Sequence, residues 1–598
     1  MCGIGGVLQW GGAVEPPVLE ALAASLGELQ AHRGPDGHGV WSDGAGVALA
    51  HRRLSVIELS PLGAQPMSDP AGRFVLTYNG EIYNHRELRR DLEARGQSFR
   101  SRSDTEVLLA GWAHWGRAVL ERIDGMFAFA IYDVRERALT LARDRAGEKP
   151  LYYAHDGSRL LFSSELKPLV RQPGMRPALD PYGVFQYCAL RYVPAPFTIF
   201  RGVSQVEPGS TLTFARDGSV RRSAFFAFDR LPLETARPEE LPHAVEDALI
   251  ESIRRRLEAS DVPVGAFLSS GIDSSLVCTL AATVLERPLQ TFCAGFDAPE
   301  HDETGDAERI ARHLGAEHRS YTLSTDDLLG VVRRFGECLD EPNGDRSCVP
   351  VYLLAREMRK AVTVAISGDG GDELFCGYGR YPHFSRLRRE LAPGGARRTL
   401  EAYFDRALAV YGLGPAREAF PEEYPAWQER FLDLHMPVFM RAGLSDAQRL
   451  SVLDFNTYLP GAVLAKVDRM SMRHALEVRT PFFSPQVLAL AASLAPTQCE
   501  QDGMLKPVLK SILSWHLPPE LISAGKKGFG MPPQFFEANA ALFRDLYAGA
   551  REVLAATRFF TEREHAFEIL AREAGRNTNS LWAFTALGLW SESLGFPV

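Results

Sequence analysis

The sequence predicts a two-domain α/β protein: a layered sandwich over residues 1–230, then a parallel-sheet domain over residues 231–598 with a helical carboxyl-terminal part. Three observations predict it. A chain of 598 residues is too long for one hydrophobic core. Up to about residue 200, short β-type runs alternate with two helical stretches. Beyond about residue 240, strand, helix and strand follow in the order that makes a parallel sheet with its chemistry at the carboxyl edge.

In the first region the β-type runs are Val47 to Leu49, Phe74 to Tyr78, Met126 to Tyr132, Leu139 to Ala142, Leu151 to Ala154 and Arg159 to Ser163. Asn84 is suited to cap a helix carrying Leu88 and Leu92 on one face, and Ser103-Asp104-Thr105-Glu106 reads as a capping box opening a second. Val193-Pro194-Ala195-Pro196, the hairpin-like Glu207-Pro208-Gly209 and Arg216-Asp217-Gly218, and the polar stretch from Arg230 to His243 mark the changeover. An amphipathic helix then leads to buried strands at Val264 to Leu268, Leu289 to Ala294 and Val362 to Ile366, with a helix from Ser274 after the first. Residues 384–450 carry no chemical signal.

A net charge of -9, with no run of five or six like charges, argues against nucleic acid or an acidic membrane as partner and favours small molecules. The start does not read as a signal peptide, and the longest apolar runs, such as Val487 to Ala495, fall short of a membrane span. A cytoplasmic protein is expected. The eight cysteines form no CxxC pair, so seven read as reduced packing residues.

Cys2 is the exception. With the initiator methionine removed, one residue carries a thiol and a free α-amine of pKa about 7.7–8.0, a nucleophile with its own base. Asn79-Gly80-Glu81 follows a β-type run, where an amide and a backbone N–H can converge on an oxyanion. Arg53 offers a fork for a free α-carboxylate, and Glu81 and Asp104 suit an α-ammonium. Singly, Asn79-Gly80 could be a type I′ turn, Asp104 a first-turn acid and Arg53 a surface charge.

Together, Cys2-Gly3-Ile4, His32-Arg33-Gly34-Pro35-Asp36, Arg53-Leu54-Ser55, Tyr78-Asn79-Gly80-Glu81 and Ser103-Asp104-Thr105-Glu106 resemble the glutaminase domain of class II glutamine amidotransferases. That resemblance implies an N-terminal-nucleophile hydrolase αββα sandwich. It implies that Cys2 attacks glutamine, that Asn79 and Gly80 hold the oxyanion, and that Arg53, Leu54, Ser55, Val56, Ile57, Asn79, Gly80, Glu81 and Asp104 bind the amino acid. The Arg33 to Asp36 loop reads as structural.

In the second region, Leu268-Ser269-Ser270-Gly271-Ile272-Asp273-Ser274-Ser275 lies between a strand and a helix, where N–H groups and hydroxyls can surround a phosphate. It lacks the Walker A ending. It resembles the SGGxDS loop of ATP pyrophosphatases, with Ser270 in place of the second glycine; Asp273 could otherwise be a helix N-cap. Ser367-Gly368-Asp369-Gly370-Gly371-Asp372-Glu373 also follows a strand, and its crowded carboxylates call for a cation, Mg²⁺ by ligand type.

Leu464 to Met472, Glu477 to Phe482 and Lys526-Lys527-Gly528-Phe529-Gly530 extend the similarity to glutamine-dependent asparagine synthetases as far as about residue 535. The resemblance implies ATP bound by Leu268, Ser269, Ser270, Gly271, Asp273, Ser274, Ser275, Ala294, Ser367 and Gly368. It implies Mg²⁺ on Asp273 and Asp372, charge stabilisation by Lys526, and adenylate formation by Asp369. L-Aspartate is the acceptor it implies, and a homodimer is common in the family.

Two departures stand on the acceptor side: Asp369 where the best-known asparagine synthetases have glutamate, and Ser484 where the family usually has aspartate. They leave open a different carboxylic acid. An adenylating cyclase resembling β-lactam synthetase is a poorer fit, because it has no use for Cys2, Asn79 and Asp104. A nonenzymatic regulatory homologue is a poorer fit because both sites read as complete.

Overall fold

The computed structural model describes residues 1–10, 15–232, 239–391, 395, 397–402, 422–501, 503–522, 528–556 and 577–594. Its amino-terminal part stacks two six-stranded sheets. In spatial order the first comprises Val203–Gln205, Tyr152–His155, Arg159–Ser163, Gly3–Gln9, Val47–Arg53 and Gly37–Ser42. The second comprises Val220–Ala224, Ser210–Phe214, Ala138–Arg143, Gly125–Asp133, Phe74–Ile82 and Met67–Ser68. Strand pairing within both sheets is antiparallel.

Strand alternation sorts the side chains into layers. Ile4 and Leu8 point between the sheets and meet Leu49, Val75, Ala128 and Phe162, whereas Val7 faces outward onto Leu19, Ala23 and Leu26 of the helix Pro16–Glu28. Phe127 and Phe129 face the other way, onto Leu108 and Trp112 of the helix Asp104–Trp115. Helix, sheet, sheet and helix therefore stack as expected, each fully buried Leu or Phe contributing about 1.5–3 kcal/mol.

Two local expectations need correction. Asn84 precedes the helix His85–Glu93, which buries Leu88 and Leu92, but its side chain does not cap it. Its amide instead donates to the Arg122 carbonyl at 2.9 Å and accepts from the Asp124 N–H at 3.0 Å, because the 122–124 turn lies closer to hand than the helix start. Only half of the capping box forms: Ser103 Oγ accepts the Glu106 N–H at 3.2 Å, while the Glu106 carboxylate serves the N–H groups of Arg100 and Ser101.

The second region is built on a five-stranded parallel sheet in the order Glu317–Leu323, Gln290–Phe296, Val264–Phe267, Val364–Ile366 and Glu477–Arg479. The chain starts in the middle, winds to one edge and returns to the other. The switch point therefore lies between Val264–Phe267 and Val364–Ile366, where such sheets bind ligands. The two outer strands escape a hydrophobic-run search: Glu317–Leu323 is largely polar, and Glu477–Arg479 is a buried strand with charged residues at both ends. The carboxyl-terminal part is helical, with Ala540–Ala556 packed on Thr578–Glu592.

Buried charges join the two regions. Arg33 Nη1 and Nη2 donate to the Asp468 carboxylate at 2.8 and 3.1 Å, and Nη1 also reaches Glu165 at 3.2 Å. Lys149 and Arg469 complete the positive surround of Asp468, and against the cost of burial Arg33 first, then Lys149 and Arg469, hold its carboxyl well below the usual range.

Candidate active sites

Cys2 immediately precedes the strand Gly3–Gln9, where it is 7 % exposed, and its N–H donates to Asn79 Oδ1 at 2.8 Å. Arg33 Nε donates to the Cys2 carbonyl at 3.1 Å, and Cys2 Sγ lies 3.9 Å from the Leu54 carbonyl oxygen. Burial pushes the thiol up, against the pull of the nearby terminal ammonium. A nucleophile there needs a base at close range to ionise.

Asn79, Gly80 and Glu81 do not follow the strand. They lie inside Phe74–Ile82, so no type I′ turn exists there, and pairing with Gly125–Asp133 fixes which groups point where. The N–H groups of Tyr78 and Ile82 turn away from that neighbour, to Gln65 Oε1 at 2.7 Å and Asp104 Oδ2 at 3.0 Å. By alternation the Gly80 N–H shares this free edge. A Cβ on Gly80 would come within 2.2 Å of the Met126 carbonyl, so the sequence must have glycine here. Asn79 Nδ2 is buried without a hydrogen-bond partner, an amide donor held in reserve beside the thiol. Together these supply two donors of the kind an oxyanion requires.

Asp104 is buried and accepts the Tyr78 hydroxyl at 2.8 Å, so it is no surface first-turn acid. Glu81 Oε2 is buried without a hydrogen-bond partner, while Oε1 lies 3.6 Å from Arg479 Nη2. Desolvation, with Asp104 and Glu477 nearby, pushes the Glu81 carboxyl well up. Arg53 turns its guanidinium onto carbonyls of its own loop, at 3.0 Å from Ser60 and also on Glu58. The backbone of that loop is anchored further by Ser55 N–H on Asp36 Oδ2 at 2.8 Å and by the Val56 carbonyl, which accepts from Asp261 N–H at 2.9 Å. Leu54 and Val56 are buried and Ile57 packs against them.

Sequence reasoning missed the group behind Glu81. The Met1 ammonium lies 2.5 Å from Glu477 Oε2, Glu477 Oε1 accepts from Arg479 Nε at 2.7 Å, and the Arg479 carbonyl accepts from Ser367 N–H at 3.0 Å. One short strand thus touches the Cys2 neighbourhood with its side chains and the Ser367 loop with its backbone. The resemblance included Glu477 to Phe482 but gave these residues no role, because their burial against Met1 and Glu81 is not displayed by a sequence.

The second site is a cavity of about 640 Å³ at the switch point. Leu268, Ser269, Gly271, Asp273, Ser274, Ala294, Ser367, Gly368, Asp369 and Asp372 line it; Ser270 and Ser275 do not. Ser275 Oγ instead bonds the Ser269 carbonyl at 3.2 Å and shapes the loop from behind. The helix Ile272–Val284 is capped by Gly271, so Asp273 is not its N-cap. A Cβ on Gly368 would stand 2.7 Å from the Ser274 nitrogen, which shows how closely the two loops approach. Asp369 Oδ2 accepts from Ser367 Oγ at 2.8 Å.

Lys506, absent from the expected set, places Nζ 2.5 Å from both Asp273 Oδ2 and Asp372 Oδ1. One cation therefore reaches both carboxylates. Two carboxylates within reach of one cation fit Mg²⁺, which takes one or two carboxylates and completes its shell from phosphate and water. Lys526 lies outside the described residues; Gly528, Phe529 and Gly530 line the cavity. Ser484 acts as an ordinary helix cap, its Oγ accepting from Val487 N–H at 3.3 Å at the start of the helix Pro485–Ala492. Aspartate caps equally well, so this departure carries no information about the acceptor.

A small cavity of about 30 Å³, room for one water-sized molecule, lies between the regions. Asp468 and Lys466 both line it, and Lys466 also lines the large cavity.

Comparisons with known proteins follow this division. A glutamine amidotransferase domain model matches residues 1–226 and an asparagine synthase model matches residues 244–592. Asparagine synthetase 1 (glutamine-hydrolyzing) of Bacillus subtilis is 30% identical, over 99% of this chain and 96% of its own. Asparagine synthetase B (glutamine-hydrolyzing) of Escherichia coli is 30% identical over 77% of this chain and 80% of its own. Amidase chry2 of Gibberella zeae is 31% identical over 63% and 59% respectively. With a family model over more than half its length and relatives aligned nearly end to end, the chain belongs to the asparagine synthase family and carries a glutamine amidotransferase domain at its amino terminus.

Proposed function

We propose that the protein is a glutamine-dependent asparagine synthetase, with a glutaminase domain over residues 1–230 and a synthetase domain over 231–598. The observation that carries this reading is that the Cys2 cluster and the domain holding the Asp273/Asp372 cavity are tied together by buried contacts, Arg33 to Asp468 and Glu81 to Arg479.

In the first half-reaction, with Met1 removed, the Cys2 amine takes the thiol proton and the thiolate attacks the amide carbon of glutamine. Asn79 Nδ2 and Gly80 N–H hold the developing oxyanion. The amine returns the proton to the departing nitrogen, ammonia leaves, and water hydrolyses the thioester to glutamate. Arg53 and the Leu54 to Ile57 backbone, with Glu81 and Asp104, orient the amino-acid end.

In the second, an oxygen of the acceptor carboxylate attacks the α-phosphorus of ATP and pyrophosphate departs. Leu268 and Ala294 pack on the base, and Ser269, Gly271, Ser274, Ser367 and Gly368 surround the phosphates. Asp273 and Asp372 would hold Mg²⁺, which when bound neutralises phosphate charge. Asp369 orients the acyl-adenylate, Lys526 stabilises its charge, and ammonia displaces AMP. The small interdomain cavity offers ammonia a place apart from bulk water, which would hydrolyse the adenylate.

L-Aspartate is the acceptor we favour, giving L-asparagine. Asp369 in place of glutamate is the one remaining observation that favours another acid. Eight free, buried cysteines suit a reducing, cytoplasmic setting, and no described helix is long and apolar enough to cross a membrane. Aspartate-dependent pyrophosphate release matched by asparagine formation from glutamine and Mg-ATP tests the reading; glutaminase activity with amidation of a different acid would remove the name and keep the mechanism.

A further inference from the structure

Glu303 lines the large cavity from the loop after the strand Gln290–Phe296, at the start of the helix Thr304–His313. The residue before a helix often caps it with its side chain, but Glu303 makes no capping hydrogen bond. Asp302 supplies the turn instead: its Oδ1 accepts from the Thr304 N–H at 3.1 Å and from the Thr304 hydroxyl at 2.8 Å. The Glu303 carboxylate is thereby left to turn toward the cavity.

Two contacts fix where it lies. Glu303 Oε2 accepts from the Ser270 N–H at 3.3 Å, on the loop between the strand Val264–Phe267 and the helix Ile272–Val284. On the other side, the 302–304 segment rests against the neighbouring strand. A Cβ on Gly295 would come within 1.9 Å of Asp302 Oδ1 and 2.7 Å of Thr304 Cγ2, an approach that glycine accommodates. Gly295 directly follows Ala294, and on the far side of Ala294 burial first, then the charges of Glu303 and Asp302, push up the thiol of Cys293.

Glu303 thus stands between Ala294 and the loop that carries Ser269 and Ser274. With the base on Leu268 and Ala294 and the phosphates at that loop, the ribose that joins them passes between. Its 2′- and 3′-hydroxyls are donors that need acceptors once enclosed, and an ionised carboxylate only accepts. Asp273 and Asp372 are engaged by Lys506, and Glu373 by the Tyr378 hydroxyl at 2.6 Å. Glu303 meets a backbone N–H with one oxygen, which leaves Oε1 to accept from a ligand. In dinucleotide-binding sheets an acidic residue takes a ribose hydroxyl in the same way.

We propose that Glu303 is the ribose-binding residue of the nucleotide site, its carboxylate accepting hydrogen bonds from the 2′- and 3′-hydroxyls of ATP. The site accordingly selects ribonucleotides over nucleotides that lack those hydroxyls. This rests on reading the large cavity as the ATP site, and not on which carboxylic acid is activated there.

Binding of ATP and of 2′,3′-dideoxyATP to the full chain is measured by calorimetry with Mg²⁺ present, which needs no acceptor. Without its hydrogen bonds to a charged group, dideoxyATP should bind the wild type roughly 10–100-fold more weakly than ATP. Glu303→Ala should weaken ATP to the dideoxyATP level, leave dideoxyATP within about twofold, and leave the glutaminase rate unchanged. A residue that only anchors the Ser270 backbone would weaken both nucleotides equally, and that outcome overturns the assignment. So does a wild type that binds both nucleotides alike, or a variant that keeps its preference for ATP. If Glu303→Ala proves unstable, Glu303→Gln is held to the same loss of preference: with its one oxygen on Ser270, it turns a donor amide toward the ribose. A wild-type chain that binds neither nucleotide overturns the reading of the cavity itself, so the two failures are distinguishable.

Discussion

Arg33 grips Asp468 with both terminal nitrogens, at 2.8 and 3.1 Å, while its Nε holds the carbonyl of Cys2 at 3.1 Å. The nucleophile's position is thereby fixed through Arg33 by a residue of the other domain, 435 positions from that arginine. Replacing Asp468 by alanine leaves Arg33, Lys149 and Arg469 facing one another in the interior. Breaking a buried pair from one side costs about 3–5 kcal/mol. The variant should unfold at a clearly lower temperature and lose glutaminase and synthetase activity together; loss of synthetase alone would show that Asp468 does not position Cys2.

Cys2→Ala should abolish glutamine-dependent synthesis, by about 10⁴-fold or more on the scale of a removed nucleophile, and spare synthesis from added ammonium salts. A folded variant that lost both would move Cys2 to another role. Retention of Met1 should mimic the substitution, since it acylates the amine that serves as base. Mass spectrometry of a fully active preparation is the check.

Asn79→Ala removes the buried Nδ2 donor and also the acceptor for the Cys2 N–H. Its glutaminase kcat should fall roughly 10²–10³-fold, the usual effect of losing one oxyanion donor. Little change in kcat would transfer the oxyanion to other groups.

At the other site, Asp273→Asn or Asp372→Asn should stop pyrophosphate release and leave glutamine hydrolysis intact, because both carboxylates line the large cavity. Lys526→Ala should do the same. If Lys527→Ala proves the damaging change, the family alignment is shifted by one residue.

Glu148 gives a pH prediction. Burial and the nearby Asp144 raise its carboxyl to about 8. A folded pKa above the unfolded one means that the unfolded chain releases the proton first, so this group's contribution is full below about pH 4.5 and is lost as pH rises toward about 8. Glu148→Gln cannot ionise. Its unfolding midpoint should gain on the wild type steadily from pH 5 to pH 8, by up to about 1.4 kcal/mol per pH unit. Parallel pH profiles for the two proteins would contradict the shift.

What the sequence determined by itself was local: the strand and helix periods, and short motifs whose spacing survives any packing. Cys2, Asn79, Asp273 and Asp372 are legible for that reason, as is the order of the two domains. Tertiary structure decided the rest. Asn79-Gly80 is a strand and not a turn because the Gly125–Asp133 partner runs alongside it. Ser484 is a helix cap, and Asn84 is not one, because of which backbone groups lie within reach. Lys506, Glu477 and Arg479 matter through neighbours more than a hundred positions away. Their types at their places obey no period, and only the folded chain, by burying charges that must find partners, brings them to the sites.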